Sequence, residues 1–311
     1  MGGEQHTLIF RVDGVEHEIA LDHSRCPRTL AKVIEALPAR VDIHCAKIAG
    51  SHIMWPVPFI EGVEEASDVL DMPAGSFFFW PERQYLEITY APLQAETAAV
   101  NYLGKLRGDV EWLRDYAERQ RRGHGGEIFT ADVYLKGGAR PAEPDAAAYV
   151  ETEIAAGSPA LKQVRAARLD AWAGETADVR ALLARRGLNI PFGPLVMAEG
   201  ELRKAHELLW RLWNAGESLS DAQKCDIARF TIEAAITRVG GFCHMNDTAA
   251  ILEKLIECFD GADPVADVLA EGVLFTGRVA AWLDLYIQWW PFNEVTLDTL
   301  GKTDSLRKAY Q

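Results

Sequence analysis

Apolar and polar positions set two different rhythms along this chain. In the first 140 residues the period is short. Leu8-Ile9-Phe10-Arg11-Val12 and His17-Glu18-Ile19-Ala20-Leu21 flank Asp13-Gly14, so residues 7–21 are predicted to form a β-hairpin. A helix is expected from Pro27, with Leu30, Val33, Ile34 and Leu37 at helical spacing until Pro38 stops it. Residues 41–49 and 52–57 read as strands separated by Gly50-Ser51. Residues 77–80 and 85–90 carry the aromatic and β-branched chemistry of half-buried strands. A short amphipathic helix over 110–120 and a strand over 128–135 complete this half.

The rhythm changes after the Gly/Pro-rich stretch from Lys136 to Asp145, which reads as a linker. Helical spacing then recurs over 145–156, 158–172, 175–186, 198–215, 220–238, 246–259, 264–271 and 273–289. Ser220 with Gln223 has the pattern of a capping box, and Asp263-Pro264 that of a cap followed by a first-turn proline. Strands followed by helices argue for an α+β chain of two domains, a β-rich one over 1–138 and an all-α helical one over 145–311.

The composition is that of a globular protein, with 49% hydrophobic and 25% charged residues among 311. A net charge of −14 argues against a nucleic-acid partner, which would need a basic face. The basic run Arg119-Gln120-Arg121-Arg122 reads as a solvated helix end. No long uncharged apolar stretch points to a membrane, and Met1–Phe10 lacks the pattern of a signal peptide, so a cytoplasmic protein is expected. The five cysteines lack CxxC spacing and read as reduced, mostly packed thiols.

Three segments carry a resemblance to a known family. They are Cys26-Pro-Arg-Thr-Leu leading to Ala36-Leu-Pro38, the run Met72-Pro-Ala-Gly-Ser-Phe-Phe-Phe-Trp-Pro81, and Ala99-Val-Asn-Tyr-Leu-Gly-Lys-Leu-Arg-Gly108. In order and spacing they are similar to the small bacterial cyclophilin-like proteins, which implies a cyclophilin-like β-barrel. The Arg/Phe/Gln-Met set of the prolyl isomerases has no counterpart, so the resemblance implies the fold and not that activity. With a helical bundle appended, the architecture resembles the cucumopine and mikimopine opine synthases. That resemblance implies the condensation of an amino acid such as L-histidine with a 2-oxo acid such as 2-oxoglutarate. An imine would form, and the ring carbon would close a second ring in a Pictet–Spengler-type step.

The residues permit such chemistry without a cofactor. A dinucleotide site needs a strand, a Gly-x-Gly-x-x-Gly turn and a helix. The nearest match, Gly123-His-Gly-Gly-Glu127, follows a helix and precedes a strand, so it reads as a loop. Neither HExxH nor paired CxxC occurs, so no metal is assigned. Cyclisation requires cations for carboxylates, groups that move protons, and walls that keep the imine from water. Lys47 and Arg83 are candidates for the carboxylate, and His52, Glu87 and His244 for proton transfer. Trp55, Trp80, Tyr90 and Asn101 are candidates for substrate binding.

Each candidate has a plainer reading. Tyr85, Glu87 and Thr89 share one strand face, which alternation allows to be the solvent face. Trp55 and Trp80 could be core, Glu82-Arg83 a surface turn, and Asn101 a loop cap. His244 lies in Gly240-Gly-Phe-Cys-His-Met-Asn-Asp-Thr248, which also reads as a helix–helix turn capped by Asn246 or Asp247. His206 reads as a satisfied core histidine. The aromatic run Trp282, Tyr286, Trp289, Trp290, Phe292 reads as interface packing, and a homo-oligomer is expected. Two other functional classes fit the same residues: a different small-molecule lyase or hydrolase, and a non-enzymatic binding protein.

Overall fold

The computed structural model describes residues 6–46, 50–93, 98–123, 126–141, 157–185, 193–287 and 295. The chain divides into two compact units. One comprises residues 1–57, 63–141 and 286–311, and the other residues 58–62 and 142–285.

The first unit is an antiparallel, nearly closed β-barrel. Its strands are β1 (Thr7–Val12), β2 (Val15–Leu21), β3 (Ala39–Asp42), β4 (His44–Cys45), β5 (His52–Pro56), β6 (Ala66–Asp68), β7 (Ser76–Trp80), β8 (Tyr85–Thr89), β9 (Ala99–Leu106) and β10 (Thr130–Leu135). The path runs β3-β10-β1-β2-β9-β7-β8-β5-β4, with β6 added on β9. Its two ends, β3 and β4, are successive in sequence with Ile43 alone between them, and the Ile43 N–H donates to the Phe129 carbonyl at 2.8 Å. The covalent chain thus spans the gap that an open sheet would leave as two bare edges.

The first hairpin forms as its turn chemistry dictates, with Asp13 and Gly14 at φ 52° and 80°. Helix α1 (Pro27–Glu35) buries Thr29, Leu30 and Val33, and α2 (Glu111–Gly123) buries Leu113, Tyr116 and Ala117. The expected strand over 41–49 is two short pieces, β3 and β4, and its last residues lie outside the described ones.

Alternation along the strands separates two faces. Leu8, Phe10, Ile53, Trp55, Phe77, Phe79, Leu86 and Ile88 occupy one, and all are buried. Aromatic rings meet across it, Phe10 with Trp55 at 5.4 Å and Trp55 with Phe77 at 6.1 Å, so this face is the barrel interior. At β9 the backbone of Gly104 takes φ +154°, and a Cβ there would run into the Ala20 carbonyl of β2. Only glycine lets the two strands come this close.

The second unit is helical. Its helices are α3 (Pro159–Ala173), α4 (Ala177–Leu183), α5 (Pro194–Asn214), α6 (Asp221–Ile236), α7 (Asn246–Cys258) and α8 (Val265–Leu285). The capping box at Ser220 and Gln223 is formed. The separate helices expected over 264–271 and 273–289 are one continuous α8. Gly272, which looked like a break, is a packing residue: a Cβ there would lie 2.8 Å from Leu255 and 3.1 Å from Leu209. Gly277 likewise makes room for the buried His206 ring, whose Nδ1 lies 2.9 Å from the Val273 carbonyl.

Two further expectations change here. Gly240 and Gly241 do not end the helix, because α6 runs on into a π-helical turn over Thr237–Phe242. The cap of α7 is neither Asn246 nor Asp247. Met245 occupies that position, and Asp178 of α4 accepts the Thr248 N–H at 2.7 Å. Within this unit Pro58–Gly62 lies against α5, where Trp210 Nε1 donates to the Glu61 carbonyl at 3.1 Å. Between α3 and α8, Glu271 is held by Arg165 at 3.0 Å and Arg168 at 2.6 Å. All five cysteines are free; Cys26, Cys45, Cys243 and Cys258 are buried and Cys225 is half-buried. Among the described residues no helix is long and apolar enough to cross a membrane.

Candidate functional site

The strand register determines which candidates meet. His52 of β5 is opposite Thr89 of β8, and Met54 is opposite Glu87, so His52 and Glu87 are diagonal neighbours on one face. Their side chains meet at 3.6 Å, from His52 Nε2 to Glu87 Oε2. This is the face opposite the barrel interior, yet it is not wet. His52 is 1% exposed, and Glu87 and Thr89 are fully buried. The reading of Tyr85, Glu87 and Thr89 as a solvent face is therefore overturned.

Burial decides the protonation of the histidine. Desolvation pushes the His52 pKa down to about 4, and the nearby Arg121 cation acts in the same direction. A separation of 3.6 Å fits an ion pair, but the imidazole is neutral at neutral pH. The contact is thus between an uncharged ring and a carboxyl group, just beyond direct hydrogen-bond length.

Around this pair the same face carries His44, whose ring meets Tyr85 edge-on at 5.5 Å. Thr89 fastens β8 locally by donating to the Pro73 carbonyl at 2.8 Å and accepting the Ser76 N–H at 3.1 Å. Trp80 pairs with Tyr85 and Phe78 with Glu87, which places Trp80 one pleat repeat along β7 from the Glu87 level. The Arg83 guanidinium lies over the Trp80 ring at 5.5 Å, so the half-buried turn from β7 to β8 presents a cation on an aromatic plate.

The remaining candidates are placed otherwise. Trp55 projects from the opposite face of β5 and packs with Phe10 and Phe77. Asn101 is buried. Its amide donates to Thr29 Oγ1 at 2.9 Å and its carbonyl accepts the Glu64 N–H at 2.9 Å, which joins α1 to β9. Tyr90 is buried and its hydroxyl accepts from Arg121 at 2.9 Å; burial raises its pKa. His244 belongs to the helical unit, exposed and at φ 57°. Lys47, Trp289, Trp290 and Phe292 lie outside the described residues. Among the described residues, no three His, Cys, Asp or Glu side chains group in a way that could hold a metal ion.

One participant was not selected from the sequence. Arg121, read there as part of a solvated helix end, reaches inward. Its Nε donates to the Ala46 carbonyl at 3.2 Å and its Nη2 to the Gly50 carbonyl at 3.3 Å, besides Tyr90. Neighbouring Gln120 donates to the Ile43 carbonyl. The signal was present in the spacing. Residues 120 and 121 continue the stripe of Leu113, Tyr116 and Ala117 at i+7 and i+8, so they fall on the buried side of α2.

No protein-family model and no curated protein matches the chain by sequence. Solved structures match it by fold. McbB, determined in complex with tryptophan, superposes with a TM-score of 0.73 at 16% identity, over 93% of this chain and 99% of McbB. The hypothetical protein AF2241 from Archaeoglobus fulgidus, a solution structure, matches 43% of this chain and 98% of its own at 17% identity and a TM-score of 0.32. The chain therefore shares the fold of McbB along nearly its whole length.

Proposed function

We propose that this protein is a cofactor-independent enzyme that condenses an amino acid with a 2-oxo acid and closes a ring in a Pictet–Spengler-type step. The observation that carries the reading is the buried His52–Glu87 pair, which offers proton transfer away from water. The shared fold with a protein that binds tryptophan supports an amino-acid substrate.

The chemistry follows from those groups. The substrate amine adds to the ketone and gives a carbinolamine. The Glu87 carboxyl, protonated at this stage, gives its proton to the leaving hydroxyl, and water departs with formation of the iminium. The ring carbon attacks the iminium carbon and forms the new C–C bond. The carboxylate of Glu87 then takes the proton from that ring carbon, which restores aromaticity and returns Glu87 to its starting state. One amino acid and one oxo acid give one product and one water, with no oxidant or reductant. Neutral His52 beside Glu87 can take up and return the same proton. Arg83 would hold a substrate carboxylate against the chain's net charge of −14, and Trp80 would wall the ring.

The ring nucleophile distinguishes two substrate choices. L-histidine with 2-oxoglutarate is the pair implied by the opine-synthase resemblance, and tryptophan is the ligand in the McbB complex. The test is to incubate the protein with each amino acid and a panel of 2-oxo acids and to follow the water-loss adduct by mass spectrometry. Catalysed adduct formation is expected with one of the two, and Glu87→Gln should slow it by about 10²–10⁴-fold, the usual worth of a general acid–base group. Adduct formation at the spontaneous rate across the whole panel would refute the synthase. Thermal stabilisation by an amino acid without turnover would instead favour a binding protein.

A further inference from the structure

We propose that Arg121 is a positioning residue of this site, fixing His52 against Glu87 by anchoring two backbone carbonyls and one tyrosine hydroxyl close to His52. The inference rests on the reading of His52 and Glu87 as a proton-transfer pair.

Three hydrogen bonds of Arg121 end close to His52 in the chain or across the sheet. The Ala46 carbonyl accepts from Arg121 Nε, and the Ala46 N–H donates to the His52 carbonyl at 3.4 Å. The Gly50 carbonyl accepts from Nη2. Gly50 has φ +112° and abuts the ring so closely that a Cβ would lie 2.7 Å from His52 Cε1. The Tyr90 hydroxyl also accepts from Nη2, while the Tyr90 N–H donates to the Ser51 carbonyl at 2.7 Å. One planar fork thus ties α2 to the end of β4, the start of β5 and the end of β8. A lysine could satisfy one of these acceptors but has no rigid fork to bridge three.

The same placement has an electrostatic result. On the face of His52 lie Glu87 and Thr89 of β8 and His44 of β4, and α2 brings Arg121, whose Nη1 has Glu118 Oε2 at 3.8 Å. Arg121 opposes a second cation on the imidazole, so it helps to keep the ring a neutral partner for Glu87.

The test reads His52 directly. Ring ¹⁵N and ¹³C resonances of His52, assigned by their loss in His52→Gln, are titrated in the parent, in Arg121→Met and in Arg121→Lys. Arg121→Met should raise the His52 midpoint and move its ring shifts at pH 7. Arg121→Lys, which keeps the charge, should leave the midpoint near the parent's while still moving the ring shifts. With an active substrate pair, both variants should lower kcat more than they change KM, and Arg121→Met should shift the acid limb of the kcat profile. Should Arg121→Met not fold, Arg121→Lys alone decides, through the ring shifts. Unchanged His52 resonances in a folded variant overturn the inference, because an arginine that served only stability would leave them in place. The two proposals fail separately. Perturbed resonances without any condensation sink the synthase and leave Arg121 its role, whereas condensation with an unmoved His52 does the reverse.

Discussion

Glu271→Ala should destabilise the helical unit more than any ordinary surface change. Glu271 of α8 accepts from Arg165 and Arg168 of α3 at 3.0 and 2.6 Å, and the three side chains are 10%, 12% and 6% exposed. A charge-assisted hydrogen bond contributes about 1.5–3 kcal/mol. Two are lost, and two guanidinium groups stay buried without this carboxylate, so the cost is about 3–5 kcal/mol, the usual range for breaking a buried pair. At about 2–4 °C per kcal/mol, the melting midpoint should fall by roughly 10 °C. Far-UV circular dichroism is the assay, because the helices dominate its signal. The triple variant Arg165→Met, Arg168→Met, Glu271→Leu should recover most of the loss, since apolar groups of similar volume need no counter-charge. A loss below about 1 kcal/mol for Glu271→Ala would refute the reasoning, for it would mean that the cluster is solvated like a surface salt bridge.

Two more outcomes follow from the barrel. His52 has a folded pKa of about 4 against an ordinary value of 6.5, so the unfolded chain binds the extra proton between those values. Stability should be level above pH 6.5 and then fall as the medium is acidified, by roughly 3 kcal/mol from this group at pH 4. His52→Gln should flatten that part of the curve in urea titrations at several pH values. Gly104→Ala should destabilise the barrel by about 2 kcal/mol or more, because the new methyl group meets the Ala20 carbonyl and the backbone stays at φ +154°. A parent-like urea midpoint for that variant would show that β2 and β9 can part without cost.

How much of this was legible in the sequence depended on the range of the interaction. The Asp13-Gly14 hairpin, the Ser220 capping box and most helices of the second half were readable because turn and cap chemistry act over a few residues. Gly272 misled because the same residue weakens an isolated helix and permits close packing of two, and only the neighbour, here Leu255, decides which. The α7 cap was unreadable for the same reason, since its acceptor, Asp178, is 70 residues away. At the site, alternation placed Glu87 opposite Leu86 and Ile88 correctly. It could not tell that both faces of β8 are buried, which depends on what covers them. Pairing of His52 with Glu87 needed the β5–β8 register, and a register is set by partners distant in sequence. Arg121 was within reach of helical spacing, and the run of charge around it masked its place on the buried stripe.

The bond from Trp210 to the Glu61 carbonyl has a consequence for how the chain is made. Its two residues are 149 positions apart. At a synthesis rate of about 5–20 residues per second, Glu61 is added to the chain roughly 7–30 s before Trp210. For that interval Pro58–Gly62 has no α5 to lie against, and the helical unit cannot complete its fold until its N-terminal fragment is revisited. A nascent chain stopped before Trp210 should therefore be cut by protease at 58–62, and one extended past Leu285 should be protected there.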